Sequence, residues 1–236
     1  MIRLTALAAL AAIVLTTTAV HAQEAEPAPA DVNAPESASL PAPPRPRAPR
    51  SYFRGYVTFD STALAASQTF DAIVGKPRLS MVGGGGELLD IWKGLFARVA
   101  ASSVKETGSR AELFNGEVIP LGIPLTVELR PLEVAAGWRV PLLAGRLVPY
   151  GGGGVLRMGY RETSTFAMAG EDTSRTFGGS VYFGGVEARI VSWIVAGAEV
   201  QYRTVPDALG AGGLSEAFGE TDLGGTTMRV LIGIRR

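Results

Sequence analysis

The constraint that weighs most on this chain is the spacing of its connections. From Ser51 onward the sequence divides into eight segments in which apolar and polar residues alternate, the period-two signature of strands. They cover 52–60, 78–89, 94–106, 124–139, 147–163, 179–190, 193–204 and 223–236. The connections alternate strictly. Those at 61–77, 107–123, 164–178 and 205–222 are long and rich in turn formers and charge, whereas 90–93, 140–146 and 191–192 are short. An even number of strands, with long loops on one rim and tight turns on the other, closes as an antiparallel up-and-down barrel. The fold predicted is all-β, with eight strands.

Aromatic placement predicts that the barrel crosses a membrane, because interfacial headgroup regions favour the amphipathic rings of Trp and Tyr. Trp92, Trp138 and Trp193 fall beside the three short turns, and Tyr52, Phe53 and Tyr150 open strands at the same rim. Phe59, Tyr160, Tyr182 and Tyr202 lie near the ends that feed the long loops. The expected interface girdle is Trp92, Trp138, Trp193, Tyr150, Tyr160 and Tyr202.

Period-two alternation then sorts side chains between lipid and lumen. In the strand at 193–204, Ile194, Ala196, Ala198, Val200 and Tyr202 share one face, while Glu199, Gln201 and Arg203 share the other. The strand at 179–190 sets Tyr182, Val186, Ala188 and Ile190 against Glu187 and Arg189. The last strand sets Met228, Val230, Ile232 and Ile234 against Thr227, Arg229 and Arg235. The first sets Phe53, Val57 and Phe59 against Arg54, Thr58 and Asp60. Placing charge inside puts Arg157 and Arg161 in the lumen and Tyr150, Leu156, Met158 and Tyr160 toward lipid. In the strand at 124–139 the charges change parity between Arg130 and Glu133, so a bulge is expected at Pro131, which lacks a ladder donor. An eight-stranded lumen is just wide enough for side chains. The expected luminal network is Arg54, Arg98, Glu128, Arg130, Arg157, Arg161, Glu187, Arg189, Glu199 and Arg203, structural or lining a narrow path.

The amino-terminal residues read differently. Arg3, the apolar run Leu4 to Leu15 and Val20-His21-Ala22 have the form of a signal peptide over 1–22, cleaved before Gln23. Residues 23–50 hold eight of the fifteen prolines and no glycine or aromatic residue, a composition that favours extended, disordered chain and is read as a periplasmic linker. The barrel domain is 51–236. Cleavage would remove His21, the only histidine, and the chain has no cysteine. Imidazole-dependent nucleophile activation and most transition-metal sites are thereby disfavoured, and no cofactor, metal or catalytic residue is expected. A formal charge of zero gives no nucleic-acid footprint. The runs Gly83 to Gly86 and Gly151 to Gly154 lack the Lys-Ser/Thr and helix of a phosphate loop and are read as points of curvature and close approach within strands. Thr62 to Val74, with Leu64, Phe70 and Ile73, has helical character and is expected to cap the barrel mouth.

On these features residues 51–236 resemble the outer-membrane β-barrel superfamily that includes the OmpA-type transmembrane domain, OmpX and OmpW. The resemblance is one of architecture, and the final Ile234-Arg235-Arg236 departs from the aromatic residue that usually closes the last strand of such barrels. It implies a transmembrane barrel in the bacterial outer membrane, in contact with outer-membrane lipid and inserted by the barrel-assembly machinery. The expected function is non-enzymatic: a porin-like, OmpA-like barrel with a filled polar lumen, contributing to the envelope and meeting an extracellular partner through four long loops. The alternatives are a small channel or carrier for solutes and a soluble lipocalin-like binding barrel, which would reverse the two faces. An outer-membrane enzyme would resemble known ones in pairing His with Ser, Asp or Glu, and the mature chain would lack the His.

Overall fold

A computed structural model describes residues 51–164, 172–210 and 212–235; the expected signal peptide and proline-rich linker lie outside them. Eight strands run in chain order: β1 (Tyr52–Leu64), β2 (Arg78–Trp92), β3 (Leu95–Phe114), β4 (Glu117–Arg139), β5 (Leu147–Ser164), β6 (Thr173–Arg189), β7 (Ile194–Thr204) and β8 (Gly225–Arg235). Each pairs antiparallel with the next, and β8 pairs with β1 from Arg235 opposite Arg54 to Gly225 opposite Leu64, closing the barrel. Closure pairs every strand on both sides around the barrel body, while the β3–β4 hairpin beyond Ser103 and Leu125 rises above it as a two-stranded extension. Among the described residues no helix is long and apolar enough to cross a membrane.

The barrel is taller on one side. β3 to β6 run for 20, 23, 18 and 17 residues, against 13, 15, 11 and 11 for β1, β2, β7 and β8. The height comes largely from 107–123, expected as a loop and found instead as a continuation of β3 and β4. Asn115-Gly116 turns that hairpin in two residues, both at positive φ (53° and 84°), the type I′ geometry that Asn-Gly favours. At the opposite rim Lys93-Gly94 turns β2 into β3 in the same way, with φ of 45° and 90°. A bulge near Asp90 precedes it.

The first long connection carries a helix, α1 (Ser67–Val74), ended by Gly75 in the left-handed region at φ 76°. Its residue before the first turn is Ala66, which offers no side-chain cap. The cap arrives from the last connection instead: the Glu220 carboxylate accepts from the amides of Gln68 (3.0 Å) and Thr69 (2.8 Å) and from the Thr69 hydroxyl (2.7 Å). These are amides a helix N-terminus would otherwise leave unpaired. A short helix, α2 (Gly213–Ala217), buries Leu214. Phe70 of α1 is buried in the mouth of the barrel, so α1 caps that end as its apolar spacing suggests.

The expected bulge at Pro131 is absent. β4 pairs with β5 in unbroken register from Arg130 opposite Gly159, through Pro131 opposite Met158, to Leu132 opposite Arg157. Parity is therefore constant along β4, with Leu125, Val127, Leu129, Pro131, Glu133, Ala135 and Arg139 buried.

Candidate functional site: the filled lumen and the outer face

Inside the half of the barrel nearer the short turns, charge dominates. Arg54 donates to Glu187 at 2.7 Å and also pairs with Glu87, while Arg139 grips Glu187 with two hydrogen bonds of 2.6 and 3.0 Å. Above this group, Arg98 binds Glu199 in the same bidentate way, at 2.6 and 3.1 Å, and its guanidinium lies 3.6 Å from the centre of the Phe183 ring. Arg229 holds Asp60 at 2.7 and 2.8 Å and Glu133 at 3.2 Å, and Arg203 reaches Glu133 at 2.5 Å and Asp60 at 3.4 Å. Gln201 links the groups, donating to Glu199 at 2.6 Å and accepting from Arg203 Nε at 3.0 Å.

Five arginines thus meet five carboxylates, so the network is neutral, and all ten side chains are buried. Isolated, any of these charges would be prohibitively costly in a lumen without bulk water. Bidentate geometry and shared partners are what make their burial tolerable.

The structure brings five of the expected luminal residues into this network: Arg54, Arg98, Glu187, Glu199 and Arg203. Asp60, Glu87, Glu133, Arg139 and Arg229 complete it. Asp60 and Arg229 lie on the charged faces that the sequence pattern gives to their strands; on β4 the unbroken parity keeps Glu133 and Arg139 inside and puts Glu128 and Arg130 outside, so the bulge expected to bring all four inward is not needed. Arg189 is exposed at the short-turn mouth, beside Arg139 and Asp90. Glu128, Arg130, Arg157 and Arg161 are not in the lumen at all: Arg130, Arg157 and Arg161 are exposed on the outer face, and Glu128 pairs there with Arg130 at 2.6 Å.

The reason is visible in what replaces them. Toward the long-loop end the lumen is filled by apolar side chains, among them Leu79, Met81, Val127, Leu129, Leu156 and Met158, with Phe70 inserted from above. Inside and outside therefore exchange polarity along β4 and β5. Near the short turns Glu133 and Arg139 of β4 are inside, with Tyr150 and glycines of β5, and Val134, Val155 and Trp138 are outside. Past Pro131, Leu129 and Leu156 are inside while Arg130 and Arg157 are outside.

Glycine creates room for luminal rings. A Cβ on Gly85 would lie 2.6 Å from the Tyr56 hydroxyl, and one on Gly185 would lie 2.8 Å from that of Tyr150. Tyr150 packs edge-on to Phe96 at 6.1 Å within this lower lumen. Two of the six expected girdle residues are thus corrected: Tyr150 is buried in the lumen and Tyr160 packs against the upper apolar cluster. Both occupy inward positions of β5, and Gly185 on β6 leaves the space that the Tyr150 ring fills.

The other four girdle residues face outward. Trp92, Trp138 and Trp193 are 57%, 46% and 54% exposed at the short-turn rim, with Trp138 Nε1 donating to the Lys93 carbonyl at 2.9 Å. Tyr202 lies outward near the other end of β7, and Tyr182 and Phe59 face outward at mid-strand on β6 and β1. Between these rims the outer face presents Val57, Val82, Val99, Val134, Val155, Val200, Val230 and Ile232, all exposed. A continuous apolar outer belt around a charged lumen reverses the pattern of a soluble binding barrel. The chain has the outer-membrane β-barrel fold.

Solved structures of such barrels are similar to it. They include the outer membrane protein OprG of Pseudomonas aeruginosa, at 13% identity over 80% of this chain and 96% of that one, with a TM-score of 0.48. Ail, the attachment invasion locus protein of Yersinia pestis, is 13% identical over 79% of this chain and 97% of its own, with a TM-score of 0.45. Neisserial surface protein A is 11% identical over 78% and 95%, with a TM-score of 0.42. No protein-family model and no curated protein matches the chain. Among the described residues no group of three or more His, Cys, Asp or Glu side chains is placed to hold a metal ion.

Proposed function

We propose that this chain is a non-enzymatic integral barrel of the bacterial outer membrane, closed along its axis, that acts through its outer face and its long-loop end. The observation that carries this reading is the double filling of the lumen. A solute moving along the axis would have to part the neutral ion-pair layer around Glu133 and then the apolar layer around Leu129, Met158 and Phe70. Two unlike barriers in series favour a sealed barrel over a channel or axial carrier.

The apolar belt between the Trp rim and Tyr202 supports contact with outer-membrane lipid. In this reading the barrel-assembly machinery inserts the chain, the short turns face the periplasm, and an extracellular partner meets the other end. That end comprises α1, the Asn115-Gly116 hairpin, the β5 to β6 connection and the segment carrying α2. Pairing of every acid in the luminal network with arginine supports a structural role for those acids.

Planar-bilayer recording tests the seal: protein reconstituted from detergent is expected to give no unitary conductance. Reproducible conductance steps whose ion selectivity changes in Glu133→Gln would overturn it. Membrane insertion has its own test, heat-modifiable migration in detergent, and a mature chain that stays monomeric in buffer without detergent would refute it.

A further inference from the structure

Charge on the outer face is concentrated in one sector, toward the long-loop end. On β1, β2, β7 and β8 the outward positions carry a single charged residue, Arg78 at the start of β2. On β3, β4 and β5 they carry Lys105, Arg130, Arg157 and Arg161, with Glu128 as the only acid among them. Glu128 is engaged with Arg130, and neither Arg157 nor Arg161 has an ion pair among the described residues.

Register makes these arginines a socket. Arg130 stands opposite Gly159 of β5, and Arg157 and Arg161 flank that glycine two residues to either side on the same face. Direct cross-strand neighbours are about 5 Å apart and diagonal ones about 7–8 Å. Three long cationic side chains therefore surround a patch of backbone that bears no side chain of its own. Beside it, between β4, β5 and β6, lies a groove of about 250 Å³ lined by Arg130, Arg161 and Arg175 with Ser174 and Thr176, and by one acid, Glu128, which stands opposite Arg161 and is held by Arg130.

The level is as informative as the geometry. Arg157 is ten residues from Leu147 at the short-turn start of β5. At ~3.3 Å per residue and a tilt of ~40° that is about 25 Å of height, the outer edge of the ~25 Å apolar band of such barrels. Immediately below, Val155 is 65% exposed and Val134 is 50% exposed. Arginine at that depth is tolerated where its stem lies along apolar surface and its head meets headgroups, and its planar fork matches a phosphate.

We propose that this socket binds the phosphate of an anionic lipid headgroup in the outer leaflet, holding one phosphorylated lipid against the tall side of the barrel. The inference rests on the membrane reading above and adds a partner to it. Acyl chains would lie over Val155 and Val134 while Arg130, Arg157 and Arg161 hold the phosphate and Ser174 and Thr176 donate to its remaining oxygens.

The test uses the full mature chain folded in an uncharged maltoside detergent, with lipid retention read by native mass spectrometry. The probes are diphosphorylated lipid A, its dephosphorylated counterpart and inorganic phosphate. Retention of one phosphorylated lipid is expected, with weak retention of the dephosphorylated lipid and none of inorganic phosphate. Neutralising one arginine should weaken retention about fivefold, the effect of one cation near an anionic surface, and R130Q/R157Q/R161Q together about a hundredfold. Arg78→Gln should leave retention unchanged. Heat-modifiable migration checks that each variant is folded, and the single variants Arg157→Gln and Arg161→Gln decide the matter if the triple one is not. Equal retention of the two lipids, binding of inorganic phosphate alone, or unaltered retention by the folded arginine variants would overturn the proposal. A chain that does not fold in micelles fails the membrane reading itself, a separate outcome.

Discussion

Replacing Glu133 by Gln is the sharpest probe of the luminal network. Glu133 is 1% exposed and lies within 2.5 Å of Arg203, 3.2 Å of Arg229 and 3.9 Å of Arg98. Gln preserves volume and can still accept one hydrogen bond, but it leaves those three arginines to share Asp60 and Glu199. The buried layer then carries one uncompensated positive charge. Removing one partner of a buried ion pair costs about 3–5 kcal/mol, whereas removing both partners together is often close to neutral. Equilibrium urea unfolding of vesicle-inserted protein, followed by the fluorescence of Trp92, Trp138 and Trp193, should show a loss of about 3–5 kcal/mol for Glu133→Gln. The double variant E133Q/R203M should recover at least about half of that loss, a favourable coupling expected only when the two charges compensate each other. A single-variant loss below about 1 kcal/mol would place the network in a wet, high-dielectric lumen. A double variant no more stable than the sum of the singles would show that Arg203 and Glu133 are not energetically linked. Either result refutes the sealed, charge-compensated layer.

The apolar layer makes its own predictions. Phe70→Ala should destabilise the mouth by about 3–5 kcal/mol, seen as faster hydrogen exchange in α1 while the ladder between β1 and β8 stays protected. Glu220→Ala removes the cap of α1 and should cost about 1 kcal/mol, measurable as faster proteolysis within 65–77. Gly85→Ala places a Cβ 2.2 Å from the Val99 carbonyl and against the Tyr56 ring, so urea unfolding should show a loss of about 1–3 kcal/mol. Gly116→Ala, at φ 84°, should cost about 1–2 kcal/mol in the hairpin alone, read by exchange of the amides nearest the turn.

Strand number, closure and the identity of the two rims were legible because each rests on local chemistry: alternation, turn formers and interfacial Trp. The second long connection was misread for an equally local reason, since Asn115-Gly116 is itself a hairpin signal and Leu113, Val118 and Ile119 flank it as strand residues. Luminal residues were legible on β1, β7 and β8, and for Glu187 on β6, charges that all lie within about ten residues of the short turns. Arg54, Glu187, Glu199 and Arg229 share a parity opposite to that of Phe53, Val186, Val200 and Val230, which the structure exposes. On β4 and β5 the same rule failed, and a bulge at Pro131 was needed to rescue it for β4. The capping of α1 by Glu220 was beyond reach, since the two are 151 residues apart at Thr69 and no periodicity joins them.

That failure on β4 and β5 has a single physical origin. Alternation separates two faces without saying what lies beyond either, and a rule that charge points inward holds only while the outside is hydrocarbon. The apolar band is about 25 Å tall, so a strand of 11 residues such as β7 or β8 ends near its edge and never leaves the regime. β4 and β5 continue beyond it. Past the edge the outside is headgroup and water, the cost of exposed charge vanishes, and the lumen, still too narrow for solvent to fill, becomes the better place for Leu129, Leu156 and Met158. The same strand thus reads as a membrane strand over the residues nearest the short turns and as one of a soluble barrel beyond them, with unchanged parity. A polarity exchange at constant register therefore marks the height at which lipid ends. On the membrane reading proposed above, that height is the row of Leu132, Arg157 and Gly178, where the proposed arginine socket begins.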